Sequence, residues 1–207
     1  MARWDEEQEL KLLAISEHYL PRIGGTVNYL HETLSALVRQ GVQVELWVPG
    51  PAPDSWLPGG MDPLPYQVVW INAGYPAQGE PSRQARYAFC HAVNAAALER
   101  SRSADRPQLL HLMFGLFVME VLDTAALRAA GLPAVATVHN VPPHECRQVA
   151  PNAPWLPRLK EKLRLKAVAW KNQARFRAHR WEALVVPSPQ VRQLLAPLVP
   201  GQPISVV

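Results

Sequence analysis

Gly24 and Gly25 stand between an apolar run that ends at Ser16 and a segment of helical periodicity that starts near Thr26. Glycines at such a junction let the backbone take positive φ and let a ligand come close to the main chain. With Thr26 as the expected N-cap, the first-turn N–H groups of the helix would point into the loop and could receive a phosphate or a sugar hydroxyl. Tyr19 and Arg22 flank this loop. The Arg22 guanidinium has the fork geometry to clamp a phosphate; a solvated loop arginine is the other reading. Further along, His139 falls at the carboxyl end of the apolar run 134–139, with Asn140 beside it and His144 in the loop beyond. An imidazole there can bond a sugar hydroxyl, pair with a phosphate or handle a proton near neutrality; the structural alternative is a histidine tied to loop backbone. His111 reads first as a core histidine and second as a substrate contact. Ser188, directly before Pro189, reads first as a helix cap and second as a substrate contact. Neither Gly-x-Gly-x-x-Gly nor Gly-Lys-Ser/Thr occurs here, which excludes a dinucleotide fingerprint and a P-loop.

The elements that must position these residues follow from periodicity. Strands are expected at 10–16, 42–48, 66–71, 109–113, 134–139, 183–187 and 204–207. Between them lie helical stretches. In the first, Val27, Leu30, Leu34, Leu37 and Val38 form one apolar stripe and Gly41 marks the helix end. Others are expected at 82–100, 118–130, 158–181 and 189–195. Gly131 and Pro133 mark a helix end before a strand. Strands alternating with helices predict an α/β fold: a mostly parallel, Rossmann-like sheet of about seven strands with helices on both faces. Residues 1–9 form a polar tail and 10–207 the domain. The proline-rich stretches 49–65 and 141–157 read as long loops. A buried parallel strand rarely ends a domain, so the chain is expected to be part of a longer protein.

Composition narrows the class. Two cysteines, Cys90 and Cys146, offer neither a disulfide framework nor a metal motif. No signal peptide is visible and no apolar run nears the roughly 20 residues that span a bilayer; a cytoplasmic protein is the expectation. The net charge of +4 is uneven: residues 158–181 hold nine of the 21 Lys and Arg but one of the 17 acidic residues. The remainder is net acidic, which argues against general nucleic-acid binding. Within 158–181, Leu159, Leu163, Ala167, Trp170, Ala174, Ala178 and Trp181 recur at helical spacing. This stripe is expected to pack on the sheet. The alternatives are a basic amphipathic helix lying peripherally on an anionic membrane and attraction of a phosphorylated ligand.

Five motifs in order, Tyr19-Leu20-Pro21-Arg22-Ile23-Gly24-Gly25, the helix and strand from Leu34 to Val48, Leu109-Leu110-His111, Thr137-Val138-His139-Asn140 and Val185-Val186-Pro187-Ser188, run along nearly the whole chain. Together they resemble the N-terminal, acceptor-binding domain of family 4 glycosyltransferases, the first half of a GT-B fold. The resemblance implies a retaining enzyme of hexosyltransferase type. Such an enzyme moves a sugar from a nucleotide-sugar co-substrate to an acceptor, with no other cofactor and no obligatory metal. His139 would be the catalytic residue. Gly24, Gly25, Tyr19, Arg22, Asn140, His111 and Ser188 would contact substrate. In such enzymes a second Rossmann-like domain holds the nucleotide and a Glu-x7-Glu pair, and an Asn-Gly turn commonly follows the strand that here ends at Val207. The donor domain is thus expected to be absent from these residues, and the chain inactive alone. Glu9 and Glu17 match Glu-x7-Glu formally but flank the first strand, so the match carries almost no weight. Two departures bear on the acceptor, which the resemblance allows to be lipid-linked or phosphorylated. His111-Leu112-Met113 stands where His-x-His is common, and Asn140 where Asp is common. The rival readings are a stand-alone, non-catalytic binding module on the same fold and an unrelated Rossmann-like enzyme.

Overall fold

Each expected apolar run forms a strand in the computed structural model, which describes residues 9–19, 25–51, 64–76, 79–139, 141, 152 and 154–207. The strands are β1 (Lys11–Ser16), β2 (Gln43–Pro49), β3 (Gln67–Ile71), β4 (Leu109–Phe114), β5 (Ala134–Thr137), β6 (Ala183–Val186) and β7 (Ile204–Val206). The helices are α1 (Gly25–Arg39), α2 (Arg83–Arg100), α3 (Leu116–Val121), α4 (Thr124–Ala129), α5 (Trp155–Ala178) and α6 (Pro189–Leu195). The seven strands form one sheet in the order β3-β2-β1-β4-β5-β6-β7, and every neighbouring pair is parallel. All carboxyl ends therefore share one edge. The order reverses between β1 and β4, where the connections leave in opposite directions and open a crevice.

Two apolar layers hold the sheet. Along β1, Leu12 and Ala14 face one layer and Leu13 and Ile15 the other, the alternation of a strand covered on both faces. Val27, Leu30 and Leu34 of α1 close the first layer over Val44, Leu46 and Val48. The second layer is closed by Phe89 and Val93 of α2, Val118 of α3, Leu127 of α4, Phe176 of α5 and Leu195 of α6. Helix ends follow their residues. Gly41, at φ +84°, donates to Val38 C=O at 2.9 Å while Val42 N–H reaches Leu37 C=O at 3.1 Å. That left-handed stop satisfies two terminal carbonyls of α1. Gly131, at φ +81°, does the same for α4. Ser188 caps α6: its Oγ accepts from Val191 N–H at 3.2 Å, with Pro189 in the first turn. Ser188→Ala is expected to cost about 1 kcal/mol, read by urea denaturation.

Three expectations need correction. Thr26 is not a cap, because α1 already begins at Gly25 and Thr26 lies within its first turn. The stretch 118–130 is two helices, because Leu122 is extended and the Asp123 carboxylate accepts from Ala126 N–H at 2.9 Å, starting α4 afresh. The stripe in α5 does not pack on the sheet: Leu159, Leu163 and Trp170 are exposed, whereas Asn172 and Phe176 are buried. Trp181 is buried, but it follows the helix, which ends where His179 turns extended. No helix among the described residues is long and apolar enough to cross a membrane.

Candidate functional site

A cavity of about 490 Å³ opens at the carboxyl edge of the sheet, at the β1/β4 reversal. Glu17 follows β1, Gly115 follows β4, Val138 and His139 follow β5, and Pro187 follows β6; all line it. Gly25, Thr26 and Tyr29 of α1, Arg86 of α2 and Phe117 of α3 complete the wall. The parallel sheet delivers these groups to one place because each strand ends at the same edge.

Glu17 organises the floor. Its carboxylate Oε1 accepts from Phe117 N–H at 2.8 Å and Val118 N–H at 2.7 Å, satisfying donors at the start of α3. Its own N–H donates to Phe114 C=O at 2.8 Å. Burial nevertheless pushes its pKa up, outweighing those two bonds and the nearby positive charges of Arg86 and Arg175. Gly115 permits this packing, since a Cβ there would lie 2.9 Å from Glu17 Oε1 and 3.1 Å from Leu112 Cδ1. Gly115→Ala is therefore expected to cost about 1–3 kcal/mol through overpacking, measurable by thermal unfolding.

His139 belongs to an aromatic cluster contributed by three elements. Its ring stacks on Phe114, with centroids 4.1 Å apart and an interplanar angle of 17°. Tyr29 meets the ring edge-on at 5.0 Å. Nε2 of His139 is buried and has no hydrogen-bond partner among the described residues. Burial lowers the pKa of His139, so the ring is neutral at pH 7 and can both donate and accept. Among the described residues the cavity's guanidinium is that of Arg86, which lies 5.5 Å over the Phe117 ring and pairs with Glu80 at 2.8 Å. Thr26 and Thr137 add hydroxyls. Aromatic faces, hydroxyls, an imidazole and one guanidinium suit a polar ligand with apolar ring faces, such as a sugar, or one with an anionic group. No cluster of His, Cys, Asp and Glu that could hold a metal occurs among the described residues.

The candidate residues divide. Gly25 and His139 meet in the cavity. Arg22, Gly24 and Asn140, with His144, lie outside the described residues. Tyr19 is not brought to the cavity: its ring is buried in the α1 layer and its hydroxyl bonds Tyr66 Oη at 2.9 Å, a bond that satisfies the phenol in the core. Tyr66 in turn bonds His31 Nδ1 at 2.9 Å. Ser188 caps α6 and is likewise not part of the cavity wall, although its neighbour Pro187 is. His111 sits one layer below, bonded through Nε2 to Thr137 Oγ1 at 2.8 Å, and so supports a wall residue. Sequence reasoning passed over Glu17, Tyr29, Arg86 and Phe117. Only Glu17 carried a usable signal, a carboxylate directly after an apolar strand.

Burial lowers the His111 pKa to about 4, aided by the neighbouring His139. The folded state thus binds fewer protons than the unfolded chain between about pH 4 and 6.5, and stability falls as pH drops through that window. Urea midpoints measured from pH 7 to pH 4 should decline, and His111→Gln should flatten the decline.

A doubly wound parallel sheet with a polar, aromatic-walled cavity at its reversal point is a Rossmann-like domain. The Glycosyltransferase Family 4 model matches residues 23–207, and the chain belongs to that family. No curated protein matches it in sequence. Among solved structures it is similar to a ugt transferase from Siraitia grosvenorii in complex with UDP, with 13% identity and a TM-score of 0.53 over 96% of this chain and 51% of that one. It is also similar to LpCGTa in complex with UDP, with 12% identity and a TM-score of 0.54 over 95% of this chain and 53% of that one. At such identities the likeness is one of fold: the chain corresponds to the Rossmann-like N-terminal half of a GT-B glycosyltransferase. It spans about half the length of these structures.

Proposed function

We propose that residues 10–207 are the acceptor-binding half of a retaining glycosyltransferase of hexosyl type, acting from the cytoplasmic side. The cavity at the β1/β4 reversal, with Gly25, Arg86 and His139 on its wall, carries this reading. The nucleotide-sugar would be held by a second domain that closes over the carboxyl edge. The structural neighbours support that arrangement, since both were solved with UDP and extend to about twice this chain's length. In the reading, Gly25 and the first-turn N–H groups of α1 receive a hydroxyl or phosphate of the acceptor. Arg86 supplies positive charge, Tyr29 and Phe114 give ring faces for stacking, and His139 bonds the hydroxyl nearest the reacting centre. No metal is required for these roles. Lipid-linked and phosphorylated acceptors both suit a wall that carries the Arg86 guanidinium. The rival is a non-catalytic sugar-binding module on the same fold.

Titration of the 207-residue chain with free and phosphorylated sugars, followed by amide NMR shifts, tests the assignment of the cavity. Shifts confined to Gly25, Thr26, Gly115 and His139 are expected. Shifts confined to the opposite edge of the sheet, or none with any sugar, would overturn it.

A further inference from the structure

The helix α5 carries two faces of different character. At about 100° per residue, Trp155, Leu156, Leu159, Leu163 and Trp170 fall within a sector about 100° wide. Trp155 and Trp170 are each 73% exposed and Leu163 is 59% exposed. The buried residues of the helix, Asn172 and Phe176, lie on its far side. The fold therefore buries the mixed face and leaves the apolar one open. That open stripe is bordered by cations. Lys162 and Arg158 lie on one side of it, Lys160 and Arg164 on the other, and Lys166 within it. The only acidic residue of 155–170, Glu161, is half-buried on the inner side and paired with Arg164 at 2.6 Å.

Direction places this face. α5 follows β5 and feeds the parallel strand β6, so it runs against the strands and starts toward their carboxyl ends. It is about 36 Å long, against about 13 Å for each four-residue strand it connects. Its fully buried residues fall in the last third, which leaves the first four turns as an open bar.

We propose that the outer face of α5 docks the chain on an anionic membrane surface. Exposed indole rings partition to the lipid–water boundary, and lysines around an apolar stripe match anionic headgroups. A second copy is a poor occupant, because stacking α5 on its twin would oppose like charges. Each lysine is worth about fivefold in binding near such a surface.

Co-sedimentation with vesicles decides it. Vesicles of equal parts phosphatidylglycerol and phosphatidylcholine are compared with phosphatidylcholine alone, at about 0.1 M and about 1 M salt, where the Debye length falls from about 10 Å to about 3 Å. The chain is expected to sediment with the anionic vesicles at low salt and to be released at high salt. Lys160→Gln, Lys162→Gln and Lys166→Gln together should weaken binding about 100-fold. Trp155→Ser with Trp170→Ser should abolish it. All five side chains are on the exposed face, so the circular dichroism and melting temperature of both variants should match the parent. No sedimentation with anionic vesicles overturns the proposal. So does equal binding to neutral vesicles, binding that survives both variants, or a dimer that the tryptophan variant dissolves with no vesicle binding. A longer chain that contains these residues and binds no vesicles would also overturn it, and would indicate that its additional residues cover α5. The assay involves no sugar transfer, so its failure leaves the transfer proposal intact, and the reverse.

Discussion

Glu17→Ala is expected to lower the unfolding free energy by about 2–4 kcal/mol, among the larger effects of any single substitution outside the apolar layers. The carboxylate satisfies two N–H groups of α3, at Phe117 and Val118, and its loss leaves both donors without a partner next to buried Val118. For a domain of this size the melting temperature should fall by about 5–15 °C. Glu17→Gln keeps an acceptor oxygen and should cost much less. The pH dependence separates the two terms. Because burial raises the Glu17 pKa, its contribution to stability is fully present below the unfolded pKa and is lost as pH rises through the folded one. Glutamine lacks that loss, so the penalty of Glu17→Gln should shrink between pH 4 and pH 7. Urea denaturation of both variants at several pH values checks this. Equal effects of Ala and Gln, each under about 0.5 kcal/mol, would mean that Glu17 does not hold the floor of the cavity.

The second large effect follows from the role proposed for His139. In a chain that also carries the donor half, His139→Ala is expected to lower kcat by about 10²–10⁴-fold, the range for losing a positioned proton-handling group. Alanine alone is ambiguous, because it also removes the ring that stacks on Phe114 and meets Tyr29. His139→Phe resolves it. Phenylalanine retains the stack and removes both nitrogens, so the melting temperature should stay near the parent's while turnover falls as far as it does with alanine. Turnover retained by His139→Phe would assign the residue to packing.

How far the sequence could be read depended on the range of the interactions involved. The strands were legible because Leu12, Leu13, Ala14 and Ile15 are buried on both faces, so the apolar run is continuous. Helix ends at Gly41 and Gly131, and the cap at Ser188, were legible because capping is decided within a few residues. The break at Asp123 is just as local, but it sits inside a continuous apolar pattern that masked it. The burial of α5 was illegible for another reason. Its apolar stripe through Leu159, Leu163 and Trp170 has the periodicity of a core face, yet the inward face is the less apolar one through Asn172 and Phe176. Periodicity reports that a stripe exists, and only tertiary packing selects which stripe is covered. In the site, Glu17 pairs with groups 100 and 101 residues away, and Tyr19 is satisfied by Tyr66, 47 residues away. Such partners have no local signature, which is why Glu17 looked like a coincidence of spacing and Tyr19 like a loop contact.

In the proposed function this segment supplies the acceptor side of a sugar transfer. The most direct measurement compares the 207-residue chain with the chain translated onward through its reading frame past Val207. Each is incubated with a panel of nucleotide-sugars and with free, phosphorylated and lipid-linked acceptors, and anomeric configuration is read by NMR of any product. Transfer with retention by the continued chain, loss of that transfer on His139→Phe, and no product from residues 1–207 alone are expected. Robust turnover by the 207-residue chain, or a continued chain that binds sugars in this cavity and never transfers one, would contradict it.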